Sequence, residues 1–306
     1  MNSNNIYHRE GDPYIYLRVM GRWYCYDPMS EPLGNGSMGT VYMGYDVQTA
    51  TPMAVKRVND QYSGNQSVRA RAKQEASLAF RHQNLIEMIG YCEMAPDQGP
   101  LFLISKFVSG INIDKYISEA TFNSEKERID FICNAICQVL EALEYIHSRG
   151  VVHRDIKPSN IMVEDNGNVR LMDLGIARMN EGNKFSKYGF IGTPQYSAPE
   201  QILREKTSLV QINATTDFYA LGVTLYELIA ENNPFDDAQT VNILTNQIRK
   251  DLPYDKRVPK ELMKVIWKAT QKEQSRRYEN AVDFRTAIQA AFTKRRSFWK
   301  RLFGIS

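Results

Sequence analysis

The segment that most constrains this chain is HRDIKPSN, from His153 to Asn160, which is followed thirteen positions later by Asp173. It brings two carboxylates and an amide into a short stretch of chain. Transfer of a terminal phosphoryl group needs little covalent help from a protein, but it needs an aligned hydroxyl group and metal ions that neutralise the triphosphate. Asp155, Asn160 and Asp173 can meet both needs, so the segment predicts metal-assisted phosphoryl transfer.

A glycine-rich stretch lies upstream, where residues 33–42 read LGNGSMGTVY. Its glycines would let backbone amides approach phosphates without a side-chain clash. Such a stretch, or an Asp–Asn pair, is weak evidence alone, because either is more often a solvated loop. The strand pattern Met53-Ala54-Val55-Lys56 lies between these two motifs. Its place in that order makes Lys56 a candidate phosphate ligand rather than a routine surface lysine.

The ordered set resembles the catalytic domain of eukaryotic-type (Hanks-type) serine/threonine protein kinases. HRDIKPSN is similar to the catalytic loop of that family, and Asp173-Leu174-Gly175 is similar to its metal-binding triplet, with Leu in place of Phe. The resemblance implies that Asp155 orients the substrate hydroxyl, that Lys157 contacts the transferring phosphate, and that Asn160 and Asp173 hold magnesium.

The resemblance also implies a nucleotide site. Lys56 would bind phosphates and pair with Glu75, the one acid in the helical stretch 69–81. The backbones of Lys106 and Val108 would hydrogen-bond adenine, with Ser105 at the back of the pocket. The expected nucleotide-binding residues are Leu33, Gly34, Asn35, Gly36, Ser37, Met38, Gly39, Thr40, Val41, Ala54, Lys56, Ser105, Lys106 and Val108. The expected cofactors are ATP and Mg²⁺, with Mn²⁺ as an alternative metal.

Residues 192–200, GTPQYSAPE, resemble the end of the activation segment of the family. The resemblance implies that Glu200 pairs with a buried arginine late in the chain. Arg277 is in the matching place, and Arg276 is the less favoured candidate. Because arginine and a carboxylate can meet through two parallel hydrogen bonds, we expect a structural clamp here rather than a catalytic pair.

Asp217 and Tyr219 lie in the apolar stretch TTDFYALGVTLYELI. Asp217 resembles the acid that supports the catalytic loop from beneath. An acid in the first turn of a helix can also meet the free amides there, and both roles can hold together. Tyr219 stands where the family commonly has Trp, so we expect it to keep a packing role.

The choice of acceptor is indicated by Lys157 and Thr193, which resemble serine/threonine kinases rather than tyrosine kinases. Thr193 is expected to hydrogen-bond the catalytic Asp and Lys. In the family, an arginine at the position of Arg154 marks control by phosphorylation of the activation segment. Ser186 and Tyr188 are the candidate phosphorylation sites.

Length and composition agree with an α+β, bilobal kinase-like fold, since 306 residues with 43% apolar content suffice for a sizeable core. We expect a kinase domain at 24–292, with a small strand-rich lobe carrying one regulatory helix at 24–108 and a larger helical lobe at 109–292. Residues 1–23 form an N-terminal extension, where alternating Ile15, Leu17 and Val19 predict one extra strand. That strand either packs on the small lobe or forms a docking surface.

Residues 293–306, TKRRSFWKRLFGIS, form a basic, aromatic C-terminal tail. It could make peripheral contact with an anionic membrane surface, or it could be solvated or folded back on the helical lobe.

The net charge of +3 gives no reason to expect nucleic acid as a partner. Four cysteines without a CxxC pair, and the lack of a signal or membrane-spanning run, favour the cytoplasm.

The most favoured function is therefore a serine/threonine protein kinase that acts on protein substrates and phosphorylates its own activation segment. One alternative is a catalytically weak scaffold or binding protein that keeps the fold. Another is a small-molecule kinase, which the long activation segment disfavours. The sequence does not indicate an oligomeric state.

Overall fold

The computed structural model describes residues 5–36, 39–60, 64–95, 98–173, 193–204 and 211–303. Within these ranges, the side chains of residues 67, 68, 71, 75, 95, 98, 204 and 293–303 are not described. The chain divides into two compact units, Met1–Ser109 and Gly110–Ser306.

The first unit is built on an antiparallel sheet whose strands are rich in aromatic and β-branched residues, as strand propensity favours. In the described part of the chain, the strand order is β1-β2-β3-β5-β6-β8-β7, and β4 pairs with β5. The strands are β1 (Ile6–His8), β2 (Ile15–Val19), β3 (Arg22–Tyr26), β4 (Gly34–Gly36), β5 (Gly39–Asp46), β6 (Pro52–Val58), β7 (Met88–Ala95) and β8 (Gln98–Lys106).

The two faces of this sheet bury different cores, because successive side chains of a strand point to opposite faces. In β6, Met53 and Val55 face a core that includes residues of β2, β3 and β8. Val58, from the other face of β6, packs against Ala72 and Ala76 of helix α1 (Gln66–Ser77). The second face therefore carries the single helix that the sequence predicts for this unit.

The N-terminal extension forms two strands, where the sequence predicted one. The missed strand, β1, pairs antiparallel with β2, and β2 pairs with β3. Leu17 and Val19 are buried in the sheet core, and Cys92 Sγ of β7 donates to the Asn5 carbonyl at 3.2 Å. Of the two alternatives for the extension, these contacts support packing on the first unit.

The second unit is mainly helical. Three short strands form a sheet in the order β11-β10-β9. They are β9 (Gly110–Asn112), β10 (Ile161–Glu164) and β11 (Val169–Leu171). The helices are α2 (Ile113–Glu119), α3 (Glu125–His147), α4 (Pro199–Arg204), α5 (Ala214–Ala230), α6 (Thr240–Arg249), α7 (Lys260–Ala269) and α8 (Ala281–Phe303). Turns of 3₁₀ helix lie at Pro158–Asn160, Pro194–Tyr196 and Gln274–Arg276.

Helix α5 is the central element of this unit. It is apolar around almost its whole circumference, which is typical of a helix buried on all sides. It packs against α3 and α7, and α8 packs against α3 and α7. A buried, capped helix of this kind is a rigid base for the loops that lie on its N-terminal end.

The C-terminal tail begins inside α8, whose backbone continues as helix to Phe303. No described helix is long and apolar enough to cross a membrane.

Candidate active site

The loop that contains HRDIKPSN is held by the buried carboxylate of Asp217, in the first turn of α5. Asp217 Oδ2 accepts the His153 amide at 2.8 Å, and Oδ1 accepts the Arg154 amide at 2.7 Å. His147 Nε2, at the end of α3, lies 2.7 Å from Oδ2. The predicted support of the catalytic loop by Asp217 is therefore confirmed.

The carboxylate of Asp217 is ionised in this setting. Burial opposes ionisation, but the hydrogen bonds from His147 and from the Arg154 amide outweigh burial, so the pKa of Asp217 lies below its ordinary value of 3.8. The N-cap residue of α5 is Asn213. Asn213 accepts from the Thr215 amide, and Thr216 Oγ1 accepts from the Asn213 amide, which completes a capping box. The groups that hydrogen-bond to Asp217 in the described part of the chain lie outside α5, while its place in the first turn agrees with the predicted interaction with the positive end of the helix dipole.

Two site residues have left-handed backbone conformations, Arg154 with φ of 69° and Asp173 with φ of 44°. This conformation costs roughly 1–2 kcal/mol for a residue other than glycine and persists only where surrounding contacts impose it. The contacts at Arg154 include the hydrogen bond from its amide to Asp217 Oδ1 and one from Gln201 Nε2 to the Arg154 carbonyl, at 3.0 Å. Strain of this kind is typical of functional loops.

His153 connects the catalytic loop to the segment that carries Asp173. Its Nε2 donates to the Met172 carbonyl at 2.9 Å, and its Nδ1 accepts the Asp155 amide at 3.3 Å. This arrangement requires a neutral ring, and burial accordingly lowers the pKa of His153 below 6.5. The Met172 amide also donates to the Asn160 carbonyl at 2.8 Å. These bonds to Met172 bring Asp173 next to the catalytic loop.

Asp155, Lys157 and Asn160 form one hydrogen-bonded group with Thr193. Asn160 Nδ2 donates to Asp155 Oδ2 at 3.1 Å and to the Asp155 carbonyl at 2.8 Å. Lys157 Nζ lies 3.3 Å from Asp155 Oδ2 and donates to Thr193 Oγ1 at 2.8 Å. Of the two hydrogen bonds predicted for Thr193, with Asp155 and with Lys157, the structure describes the one with Lys157. Thr193 thereby brings the Pro194–Tyr196 turn against the catalytic loop.

The oxygen donors of Asn160 and Asp173 fit a hard divalent cation, which prefers oxygen ligands. Both hydrogen bonds described for the Asn160 side chain are donated by Nδ2, so Oδ1 is the atom of this side chain that would act as a ligand. Asp173 follows β11 and is exposed. Two protein ligands are usual for Mg²⁺ when phosphate oxygens and water complete its coordination.

The predicted nucleotide residues of the first unit share one sheet face. Val41 of β5 is opposite Lys56 of β6, and Ala54 of β6 is opposite Ser105 of β8. Directly paired residues point to the same side, and this is the side on which α1 packs. Leu33 precedes β4 and is exposed.

The structure indicates which backbone group of Lys106 could contact adenine. The Lys106 amide already donates to the Glu87 carbonyl at 2.9 Å, so its carbonyl is the group left for an adenine contact. The Lys106 side chain pairs with Glu87 Oε2 at 2.7 Å. Glu87 therefore neutralises the positive charge of the Lys106 side chain, and no ligand is needed to do so. Val108 lies in the irregular segment after β8.

The glycines of the β4–β5 hairpin serve different purposes. A Cβ at Gly34 would meet open space, which agrees with a backbone that a phosphate can approach. A Cβ at Gly39 would clash with the Arg57 carbonyl oxygen of β6. Gly39 is therefore required by close packing of two strands. Asn35 pairs with Thr40 across the hairpin.

Some predicted residues lie outside the described part of the chain. These are Ser37, Met38, Leu174, Gly175, Ser186 and Tyr188. Glu75 lies in α1, but its side chain is not described, so its pairing with Lys56 stays a prediction. Helix α1 ends at Ser77, before the end of the stretch 69–81.

The clamp between Glu200 and Arg277 is present and buried. Arg277 Nη1 donates to Glu200 Oε1 at 2.6 Å, and Nη2 donates to Oε2 at 2.8 Å. Thr216 Oγ1 donates to Glu200 Oε1 at 2.8 Å. Arg276 is exposed and pairs with Glu273. The preference for Arg277 over Arg276 is confirmed.

Sequence reasoning did not single out His147 or Asn213 as site residues. The signal for Asn213 was available, because Asn three residues before Thr at the start of an apolar run is an N-terminal signature. His147 carried no local signal, since its partner Asp217 lies 70 residues away.

Replacement Asp217→Asn is expected to lower the free energy of unfolding by about 1–3 kcal/mol, because the amide nitrogen cannot accept a backbone hydrogen bond. The stabilisation depends on the ionised form and a depressed pKa. It is fully present above the unfolded-state pKa, near 3.8, and is lost as the pH falls through the lower folded-state pKa. Urea unfolding at pH 7 and in an acid series measures both effects.

The matched control is Asp283→Asn, an exposed acid in the first turn of α8. It should change the stability by no more than about 0.5 kcal/mol. An equal loss in both variants would contradict the role of Asp217.

The protein kinase domain family matches residues 28–292 of this chain. Serine/threonine-protein kinase PrkC of Bacillus subtilis is 29% identical over 297 residues, covering 94% of this chain and 43% of that protein. Serine/threonine-protein kinase PknB of Mycolicibacterium smegmatis is 32% identical over 270 residues, covering 85% of this chain and 42% of that protein. The chain thus spans less than half the length of these curated relatives.

A solved structure of the Mycobacterium tuberculosis PknI kinase domain is similar in fold, with a TM-score of 0.66 and 20% sequence identity over 94% of this chain and all of that one. The strand-rich first unit and helical second unit agree with it, and the predicted bilobal kinase fold is confirmed. With the family match spanning 28–292, the chain belongs to the protein kinase domain family.

Proposed function

We propose that this protein is a serine/threonine protein kinase that transfers the γ-phosphoryl group of ATP to Ser or Thr hydroxyls of protein substrates. The observation that carries the proposal is the hydrogen-bonded group of Asp155, Lys157, Asn160 and Thr193. It joins a carboxylate for the acceptor hydroxyl, a cation for the phosphoryl oxygens and an amide oxygen for a metal. The curated relatives PrkC and PknB are named serine/threonine-protein kinases, which supports the proposal.

In this mechanism Asp155 accepts a hydrogen bond from the substrate hydroxyl and aligns it for in-line attack. Its orientation is set by Asn160 Nδ2 and Lys157 Nζ, which both contact Oδ2. Lys157 stabilises the negative charge that develops on the transferred group. The hydroxyl oxygen bonds to the γ-phosphorus of ATP as the bond from that phosphorus to the β–γ bridging oxygen breaks, ADP leaves, and the hydroxyl proton passes to Asp155.

Asn160 and Asp173 are the residues that would hold Mg²⁺, with Mn²⁺ as an alternative. A bound cation neutralises phosphate charge and orients the triphosphate. Lys56, on the same sheet face as Val41 and Ala54, is proposed to bind phosphate oxygens, with Glu75 as its partner. Backbone groups of Lys106 and Val108 are proposed to bind adenine.

The test uses ATP labelled at the γ-phosphate, with Mg²⁺, the protein and a generic basic acceptor protein. We expect label on Ser or Thr of the acceptor and on the activation segment, where Ser186 is the proposed site. Excess chelator should abolish the transfer, and added Mg²⁺ or Mn²⁺ should restore it, because the triphosphate charge is otherwise not neutralised. If no label appears in any condition, the kinase proposal fails in favour of the scaffold alternative.

We also propose that the chain works in the cytoplasm and makes peripheral contact with anionic membrane through residues 293–306. The cysteines are thiols rather than disulfides, as is usual in a reducing compartment. Residues 293–303 continue α8 as helix, and the tail sequence 293–306 carries five basic residues and no acid. Pelleting with anionic liposomes should bring down the whole chain but not a chain that ends at residue 292. Equal partitioning would refute the contact.

A further inference from the structure

A buried chain of polar groups lies beneath the Pro194–Tyr196 turn. Tyr219 of α5 and Gln247 of α6 are both fully buried, and the Tyr219 hydroxyl donates to Gln247 Oε1 at 2.6 Å. Lys272, after α7, donates from Nζ to the Tyr219 oxygen at 2.8 Å. Gln247 Nε2 donates to the main-chain carbonyl of Gln195, within the turn.

The direction of these hydrogen bonds is set by chemistry. A lysine ammonium can only donate, so the Tyr219 oxygen accepts from Lys272 and its proton is directed at Gln247. The side chain of Gln247 is thereby oriented with its oxygen toward Tyr219 and its nitrogen toward Gln195. A hydroxyl that both accepts and donates makes this relay, and a purely apolar ring at position 219 could not.

Cations lie near the ring of Tyr219 as well as at its hydroxyl. The Arg277 guanidinium carbon lies 4.9 Å from the ring centroid, and Lys272 Nζ lies 5.1 Å from it. Lys272 Nζ is also 4.8 Å from the centroid of Phe235. These contacts restrain the Tyr219 ring. Its hydroxyl therefore has a defined position from which it hydrogen-bonds to Gln247.

The turn that Gln247 holds is also attached to the catalytic loop. Thr193, immediately before the turn, accepts from Lys157 Nζ, and Gln201 beyond it donates to the Arg154 carbonyl. An acceptor residue presented to Asp155 must therefore approach beside this turn. Its position is set on one side by the catalytic loop and on the other by Gln247.

We propose that Tyr219 and Gln247 are positioning residues for the protein acceptor, which hold the main chain at Gln195 and so set the affinity for the segment that carries the Ser or Thr. The inference rests on the proposed kinase function. It assigns to the Tyr219 hydroxyl a role beyond the packing that the ring provides.

The first test is Tyr219→Phe, which removes only the hydroxyl. We expect KM for the protein acceptor to rise about five-fold, the effect of one net hydrogen bond, while KM for ATP stays unchanged. The matched control is Tyr226→Phe, on the same helix, where the ring is 1% exposed and no side-chain hydrogen bond is described. The control should change neither KM.

The second variant is Gln247→Glu, which keeps an oxygen for the Tyr219 hydroxyl but loses the donor to Gln195. It should raise acceptor KM as Tyr219→Phe does. Both variants should also speed hydrogen exchange at the amides of Tyr196 and Ser197, which donate to Thr193 and Pro194 carbonyls at 3.3 and 3.2 Å. The exchange measurement needs no turnover.

A failure of the kinase proposal and a failure of the anchoring proposal would give different results. A wild type that transfers no phosphoryl group would refute the kinase function. Unchanged exchange at Tyr196 and Ser197 in both variants would overturn the anchoring role whether or not the protein is active. Equal rises in the KM values for acceptor and ATP, or the same effects in Tyr226→Phe, would also overturn it, because they would indicate general destabilisation.

Discussion

Replacement of Asp155 by Asn is expected to lower kcat for phosphoryl transfer by about 10²–10⁴-fold, the usual contribution of a positioned general base. The amide is neutral and cannot take the hydroxyl proton. It also disturbs Asn160 and Lys157, because both contact the oxygen Oδ2 of Asp155. KM for ATP should change little, since Asp155 acts on the acceptor.

Initial-rate measurements with γ-labelled ATP provide the comparison with wild type. The control is Asp165→Asn, an exposed acid in the turn between β10 and β11 that takes no part in the proposed chemistry. It should retain the wild-type kcat. A variant at position 155 with undiminished kcat and the same melting temperature would exclude Asp155 as the catalytic carboxylate.

Replacement of Arg277 by Met is expected to lower the free energy of unfolding by about 3–5 kcal/mol, because it leaves a buried carboxylate without its cation. Arg277 uses its guanidinium fully. Besides the two bonds to Glu200, it donates to the carbonyls of Gln271 at 2.7 Å, Thr215 at 3.0 Å and Lys272 at 3.0 Å. The variant therefore detaches Arg277 from three segments of the second unit, namely those of Glu200, of Thr215 and of Gln271 with Lys272.

The adjacent arginine offers a control. Arg276→Met removes an exposed pair with Glu273, which is expected to be worth no more than about 1 kcal/mol. Urea unfolding monitored by fluorescence measures all variants. The double variant Glu200→Gln with Arg277→Met should recover part of the loss, since no unpaired charge remains buried. Losses of similar size at Arg276 and Arg277 would contradict the clamp.

The clamp is an example of a tertiary contact that a pattern in the sequence predicts. The sequence predicts the pair of Glu200 and Arg277 because each residue stands in a segment that matches a family pattern. The same is true of Asp217 beneath the catalytic loop and of Thr193 beside Lys157. In each case the interaction involves side chains whose chemistry allows few other partners once they are buried.

Other features followed no local pattern. The strand β1 was missed because three residues, Ile6–His8, are too short for a period to be read. The left-handed backbone of Arg154 is held by contacts with Asp217 and Gln201, which are distant in the chain. Gly39 was attributed to phosphate approach, but the carbonyl of Arg57 on the neighbouring strand also excludes a side chain there.

The sequence by itself therefore determined the identity and order of the chemical groups, namely the carboxylates, the amide and the lysines of phosphoryl transfer, and the apolar spacing of the elements that carry them. Only the tertiary structure decided how those groups are held: the neutral ring of His153, the capping of α5 by Asn213, and the relay from Lys272 through Tyr219 and Gln247 to Gln195. The reason is physical. A residue's chemistry is local, but its burial, its partners and the direction of its hydrogen bonds depend on groups that are distant in the chain and adjacent only after folding.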